Sequence, residues 1–186
     1  MNIFVTDLCP KQSAQNVCDK HMKMIVESCQ LLATCFDLNI LAKQDCPKTQ
    51  KGTNRKWFNP NHPSSKWCRE SRENLNWILQ HTRSLLDEKY YRYPDSDRHF
   101  CHDFVDWVSS NLDLSFVPIG PQTDFKIAIN ENMSCRLHPL FENGSVVDKY
   151  RLYYTHDKPF AKWTGRPAPS WFFDKKYSKS LSAADT

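Results

Sequence analysis

Apolar residues recur at helical spacing along most of the first 110 positions. Val17, Met24, Ile25, Leu31, Leu32, Cys35 and Phe36 fall on one stripe at about 100° per residue, which predicts a long helix over 12–36. His21 and Ser28 lie within that stripe, whereas Glu27 lies off it, on the flank shared with Lys20 and Lys23. The pattern sets a carboxylate at the edge of a buried face, with cations one and two turns before it. A second long helix is predicted over 65–92, where Trp67, Ser71, Leu75, Ile78, Thr82, Leu85 and Leu86 keep the three-four spacing until Pro94. A third spans about 98–110, with Phe100, Phe104, Val105 and Val108, and a fourth about 146–155. Between the first two, residues 43–63 form a polar connection, and two X-Pro steps disfavour helix before Ser64. Residues 111–145, with Pro118, Gly120, Pro121, Pro139 and Gly144, read as irregular apart from one short strand at 125–129. The expectation is a mainly α single domain of three to four helices. Within it, 1–110 is the helical core, 111–145 an irregular Pro-rich connection, 146–177 a basic aromatic helix and tail, and 178–186 a frayed end.

The 186 residues are 40% hydrophobic and 13% aromatic, enough to fold, and to bury about two thirds of the extended chain's surface. The net charge of +4 says little by itself; its distribution says more. From Arg151 onward seven cations (Arg151, Lys158, Lys162, Arg166, Lys175, Lys176 and Lys179) face Asp157, Asp174 and Asp185, an excess equal to that of the whole chain. Rings alternate with them: Tyr153, Tyr154, Phe160, Trp163, Trp171, Phe172 and Phe173. Cations meet phosphates and flat rings stack on unstacked bases, so the segment suits a nucleic acid. It equally suits a tail whose rings pack on the core while its lysines face water. Lys48, Lys51, Arg55 and Lys56 read as a solvated loop.

Several chemistries are excluded or disfavoured. Four glycines cannot supply phosphate-cradling or dinucleotide-binding loops, and neither GxSxG nor HExxH occurs. His99, Cys101, His102 and Asp103 are metal-ligand types without a second matched pair, so no metal and no cofactor is expected. The eight cysteines contain no CxxC and follow no leader segment, which points to free thiols in a reducing cytosol. No apolar run approaches the about 20 residues of a membrane span. A histidine on an apolar stripe is most often a core residue, and a glutamate with lysines four and seven positions before it is most often a surface ion pair. Periodicity makes neither His21 nor Glu27 catalytic, and His62, between Asn61 and Pro63, reads as either a turn or a site residue.

The order of the pieces nevertheless resembles the pyrimidine-dimer DNA glycosylases, small phage and viral enzymes that excise ultraviolet photoproducts. The residues that carry the resemblance are Met1-Asn2-Ile3-Phe4 before Pro10-Lys11, then Asp19-Lys20-His21 with Glu27 about two turns later. Asn61-His62-Pro63 follows, leading into a helix with Leu85, Glu88 and Arg92, and a basic aromatic segment closes the chain. The resemblance implies an all-α fold with the N-terminus threaded against the helices. It implies an α-amine that attacks the deoxyribose C1′ as the base leaves, giving an imine, while a glutamate assists departure and the later strand-nicking elimination. Carried over, Glu27, Met1, Asn2 and His21 are the catalytic candidates. Lys20, Lys23, His62, Arg69 and Arg72 line the site and hold phosphates, and Lys158, Lys162, Trp163 and Arg166 contact double-stranded DNA with one nucleotide flipped. The family nucleophile stands at position 2, exposed by removal of the initiator; Asn2 disfavours that removal, which leaves the amine on Met1. On an unbroken helix, six residues turn Glu27 about 240° from His21, so the two diverge.

The expected protein is thus a monomeric cytoplasmic enzyme acting on bases in DNA, an N-glycosylase with abasic-site lyase chemistry on damaged or modified pyrimidines. Two alternatives carry different expectations: a phage enzyme of pyrimidine hypermodification on a related scaffold, and a non-catalytic nucleic-acid-binding phage protein.

Overall fold

The first predicted helix is not continuous. In the computed structural model, which describes residues 2–178, it becomes α1 (Pro10–Gln15), a 3-10 turn (Asp19–His21) and α2 (Met24–Ala33). The apolar stripe runs through the break because Val17 and Cys18 are themselves fully buried there. Carbonyls that would continue the helix are taken by distant residues: Gln15 O accepts Arg92 Nη2 at 3.0 Å, and Asn16 O accepts Trp163 Nε1 at 3.0 Å. The Asp19 amide donates to Lys162 O at 2.8 Å instead of to its own helix. The six-residue divergence of His21 and Glu27 therefore does not arise, since no single helix carries both.

The second predicted helix divides likewise. Helix α3 (Leu38–Leu41) is a single turn just before the connection; α4 (Pro63–Glu70) and α5 (Arg72–Arg92) follow it, separated at Ser71. Ser71 has extended backbone, its hydroxyl caps α5 by accepting Asn74 N–H, and the Arg72 amide donates to Pro118 O. Helix α6 (His102–Ser110) starts four residues later than expected. Helix α7 (Pro139–Asn143) is short, and α8 (Val146–Asp157) opens with a capping box between Ser145 and Asp148. Among the described residues eight α-helices thus replace the expected three to four, within the mainly α class. Residues 125–129 form no strand, and none occurs among the described residues; Phe125 instead stacks on Trp67 at 4.6 Å.

Helix α5 is the central element, packed by α1, α2, α4 and α6. Its Leu75, Ile78 and Leu85 meet Leu31 and Leu32 of α2, Trp67 of α4 and Phe104 of α6 in one buried core that also takes in Ile3, Phe4 and Val5. The chain start is therefore threaded into the protein. Arg55, expected in a solvated loop, is only 8% exposed: it lies over the Phe104 ring and donates to Pro47 O and Lys48 O.

The tail is fastened by a buried ionic cluster. Glu88 accepts Arg92 Nε at 2.8 Å and, through both oxygens, Arg166 Nε at 2.6 Å and Nη2 at 2.8 Å. Arg92 also donates to Asp19, whose carboxylate accepts the amide and hydroxyl of Thr164. Tyr150, Tyr154 and Trp171 pack into the core. All eight cysteines are free thiols, and only Cys9 is exposed. Among the described residues no helix is long and apolar enough to cross a membrane.

Candidate active site at the chain start

Glu27 stands in the first turn of α2, where the helix dipole favours a carboxylate. Its Oε2 accepts the Asn2 main-chain N–H at 3.2 Å, across 25 residues of sequence. Met1 lies outside the described residues. The Asn2 side chain fixes this start of the chain: Nδ2 donates to Ala128 O at 2.9 Å, and Oδ1 accepts the Ile3 and Phe4 amides. Phe4 follows with φ of 52°, a left-handed conformation costly for a bulky side chain. The surroundings hold it there: its ring stacks on His21 at 4.3 Å and meets Tyr153 at 6.0 Å.

His21 is buried beneath Phe4 and Phe160 and shares a 2.8 Å hydrogen bond between Nδ1 and the Tyr154 hydroxyl. The Tyr154 oxygen also accepts the Cys18 amide at 3.4 Å, which ties His21 and the start of the Asp19–His21 turn to α8. Burial lowers the His21 pKa to about 4, helped by Lys158, Lys23 and Lys20. His21 is neutral at pH 7 and serves as a packed ring that shapes the site. Around it, Lys20 lies over Phe160 at 4.1 Å and Lys158 over Tyr153 at 3.9 Å, while Lys20 and Lys23 are exposed. Three ammonium groups and two rings thus border the segment that delivers Asn2 to Glu27.

His62 caps α4, accepting the Ser64 amide at Nδ1, and burial lowers its pKa against the opposing pull of Glu27. That electrostatic coupling puts His62 in the neighbourhood of Glu27. The other expected phosphate ligands are differently employed. Arg69 Nη2 donates to Pro60 O at 2.6 Å and its guanidinium lies 5.9 Å from the Trp57 ring. Arg72 donates to Val117 O and is tied to the 111–145 segment. Trp163 is held by Asn16 O and packs edge-on against Phe172, and Arg166 is bound bidentately to Glu88. Lys162 is exposed beside the Asp19–His21 turn, through its carbonyl bond to Asp19. Among the described residues, no group of three or more metal-ligating side chains is gathered.

The structure thus gathers Asn2, His21, Glu27, His62, Lys20, Lys23 and Lys158 near the chain start. It commits Arg72, Trp163 and Arg166 to holding the fold. Three contributors, Tyr153, Tyr154 and Phe160, were read from sequence only as tail rings and not as part of this site. Their signal was the ring-rich run from Tyr150 to Phe160, which composition cannot divide into packing and lining rings. No family model, no curated protein and no solved structure matches the chain.

Proposed function

We propose that the protein acts on bases in DNA as an N-glycosylase with abasic-site lyase chemistry, on damaged or modified pyrimidines. The observation that supports this reading is the 3.2 Å contact between the main-chain nitrogen of Asn2 and the Glu27 carboxylate. An α-amine, with a pKa of about 7.7–8.0, is partly neutral at pH 7 and nucleophilic. Such an amine at the chain start forms a bond to C1′ while the C1′–base bond breaks, and the departing base takes a proton. Ring opening leaves an imine on the sugar. Loss of a C2′ proton then expels the 3′ phosphate, and Glu27 is the group in place to move both protons. If the initiator were removed, the Asn2 nitrogen would itself be the amine at Glu27. Lys20, Lys23 and Lys158 supply the positive border that a phosphate backbone requires.

The test is incubation of the protein with a panel of duplexes, each bearing one photoproduct or modified pyrimidine, with borohydride added to trap an imine. Base release together with a covalent adduct is expected for at least one substrate, and loss of both in Glu27→Gln. Absence of release and adduct across the panel overturns the proposal.

A further inference from the structure

Beyond Gln30, one turn along α2 from Glu27, opens a groove of about 350 Å³. Residues three apart on a helix are surface neighbours, so Glu27 and Gln30 share one face. The floor of the groove is Cys29, Gln30 and Ala33; its opposite side is the loop carrying Asn54, Lys56, Trp57 and Phe58. The volume lies at the small end of the range of about 300–1,000 Å³ for small-ligand sites.

This loop is built rather than slack. Arg55 pins it to the core, as described above. Thr49 and Thr53 close a tight turn, with a 2.9 Å bond from Thr49 N–H to Thr53 O and a 2.8 Å contact between their hydroxyls. Gly52 sits in that turn at φ 72°, where a side chain would be strained. Trp57 is fixed by donating Nε1 to Phe36 O at 2.8 Å, and its ring leans on Phe116. Yet Trp57 is 38% exposed and Phe58 49% exposed. Two large rings, one of them anchored, thus face solvent beside a cavity. Gln30 is only partly exposed, and its side-chain amide has no hydrogen-bond partner among the described residues. It offers a donor and an acceptor side by side, the pairing that a base edge presents. Lys56 is exposed at the rim, in reach of a flanking phosphate.

We infer that this groove receives a single nucleobase extruded from the duplex, stacked on Trp57 and Phe58 and read by the Gln30 amide. The inference rests on the excision reading, because it uses the single helical turn between Glu27 and Gln30 on α2 to choose the occupant. A base seated there leaves its sugar toward Glu27 and the chain start.

The experiment separates the two ideas. Gln30→Ala and Phe58→Ala are compared with Glu27→Gln on two substrates: an intact target nucleotide and a preformed abasic site. Stacking on one ring contributes about 1–3 kcal/mol per base, so base release should fall on the order of 5- to 150-fold in Phe58→Ala. Cleavage at the preformed abasic site, which carries no base, should change by less than about twofold in both groove variants. Glu27→Gln should lose both activities. In parallel, the Trp57 indole N–H, assigned with Trp57→Phe, is followed by NMR in wild-type protein. A duplex with one unpaired thymine should shift it, and a fully paired duplex of the same length should not. If no substrate is ever processed but Trp57 responds selectively to the unpaired base, the groove stands and the excision reading fails. If bases are released and the groove variants release them at the wild-type rate, the groove is overturned while excision stands. Failure of the Trp57 signal to distinguish the two duplexes also overturns the groove.

Discussion

Glu88 holds two guanidinium groups, and the consequences of removing its charge can be worked from the contacts. Its side chain is 3% exposed, against 0% for Arg92 and 26% for Arg166. In Glu88→Gln the buried Arg92 keeps Asp19 at 3.0 Å but loses its nearer carboxylate, whereas Arg166 can turn to water. Breaking a buried pair while leaving its partner costs about 3–5 kcal/mol, and the surviving Asp19 contact places this case near the lower end. For a chain of this size that corresponds to a fall of roughly 6–12 °C in melting temperature. Arg166→Ala should cost less, about 1–2 kcal/mol, because Glu88 retains Arg92 and the lost partner was partly solvated. Differential scanning fluorimetry and urea unfolding of both variants and the double variant provide the measurement. The double variant should fall short of the sum, because both changes disrupt one cluster. A larger loss in Arg166→Ala than in Glu88→Gln would refute the reasoning. DNA affinity adds a second reading: Arg166→Ala should leave the slope of log affinity against log salt unchanged, since its guanidinium is occupied by Glu88. A slope smaller by about one would return Arg166 to the phosphate contacts expected from sequence.

Charge reversal at Lys20, Lys23 or Lys158, by contrast, should weaken DNA binding and reduce that salt slope by about one or more per position, read by fluorescence anisotropy at several salt concentrations. Stability should fall as pH drops below neutrality. His21 and His81 are held below the ordinary value of 6.5, at about 4 and about 3, by burial first. The unfolded chain therefore takes up protons at a pH where the folded one does not, and stability present above about 6.5 is lost toward pH 4. For His21 alone this amounts to about 3 kcal/mol, at about 1.4 kcal/mol per pH unit. Urea midpoints that stay constant from pH 7 to pH 4 would contradict it. Native protein should show one rapidly reacting thiol, Cys9, toward a disulfide reagent, and eight after denaturation. Cys101, whose pKa is lowered chiefly by a hydrogen bond from the Cys29 thiol, should stay unreactive in the native protein because it is fully buried.

Much of the helical content was legible because period and burial coincide along α2, α5, α6 and α8. The breaks were not. At residues 17–18 the side chains remain buried while the backbone leaves the helix, and the carbonyls it frees are claimed by Arg92 and Trp163, far away in sequence. The break at Ser71 did leave a trace, since a serine before Arg72-Glu73-Asn74 is an N-cap signal; the continuous apolar stripe masked it. Arg55 reads as a loop cation because nothing local announces the Phe104 ring beneath it. The proximity of Asn2 to Glu27 depends on threading residues 3–5 into the core, which periodicity does not encode. Only the resemblance in the order of motifs anticipated it. The tail divides in a way its composition does not: Trp163 and Trp171 pack, whereas Phe160 and Phe173 are exposed.

The most direct measurement is mass mapping of the borohydride-trapped protein–DNA adduct after proteolysis. The sugar remnant should be found on the α-amine of the first peptide, whether that peptide begins at Met1 or Asn2, and should vanish in Glu27→Gln. A remnant on a lysine side chain such as Lys20 or Lys23, or an adduct that persists undiminished in Glu27→Gln, would contradict a reaction centre made of the chain start and the α2 carboxylate.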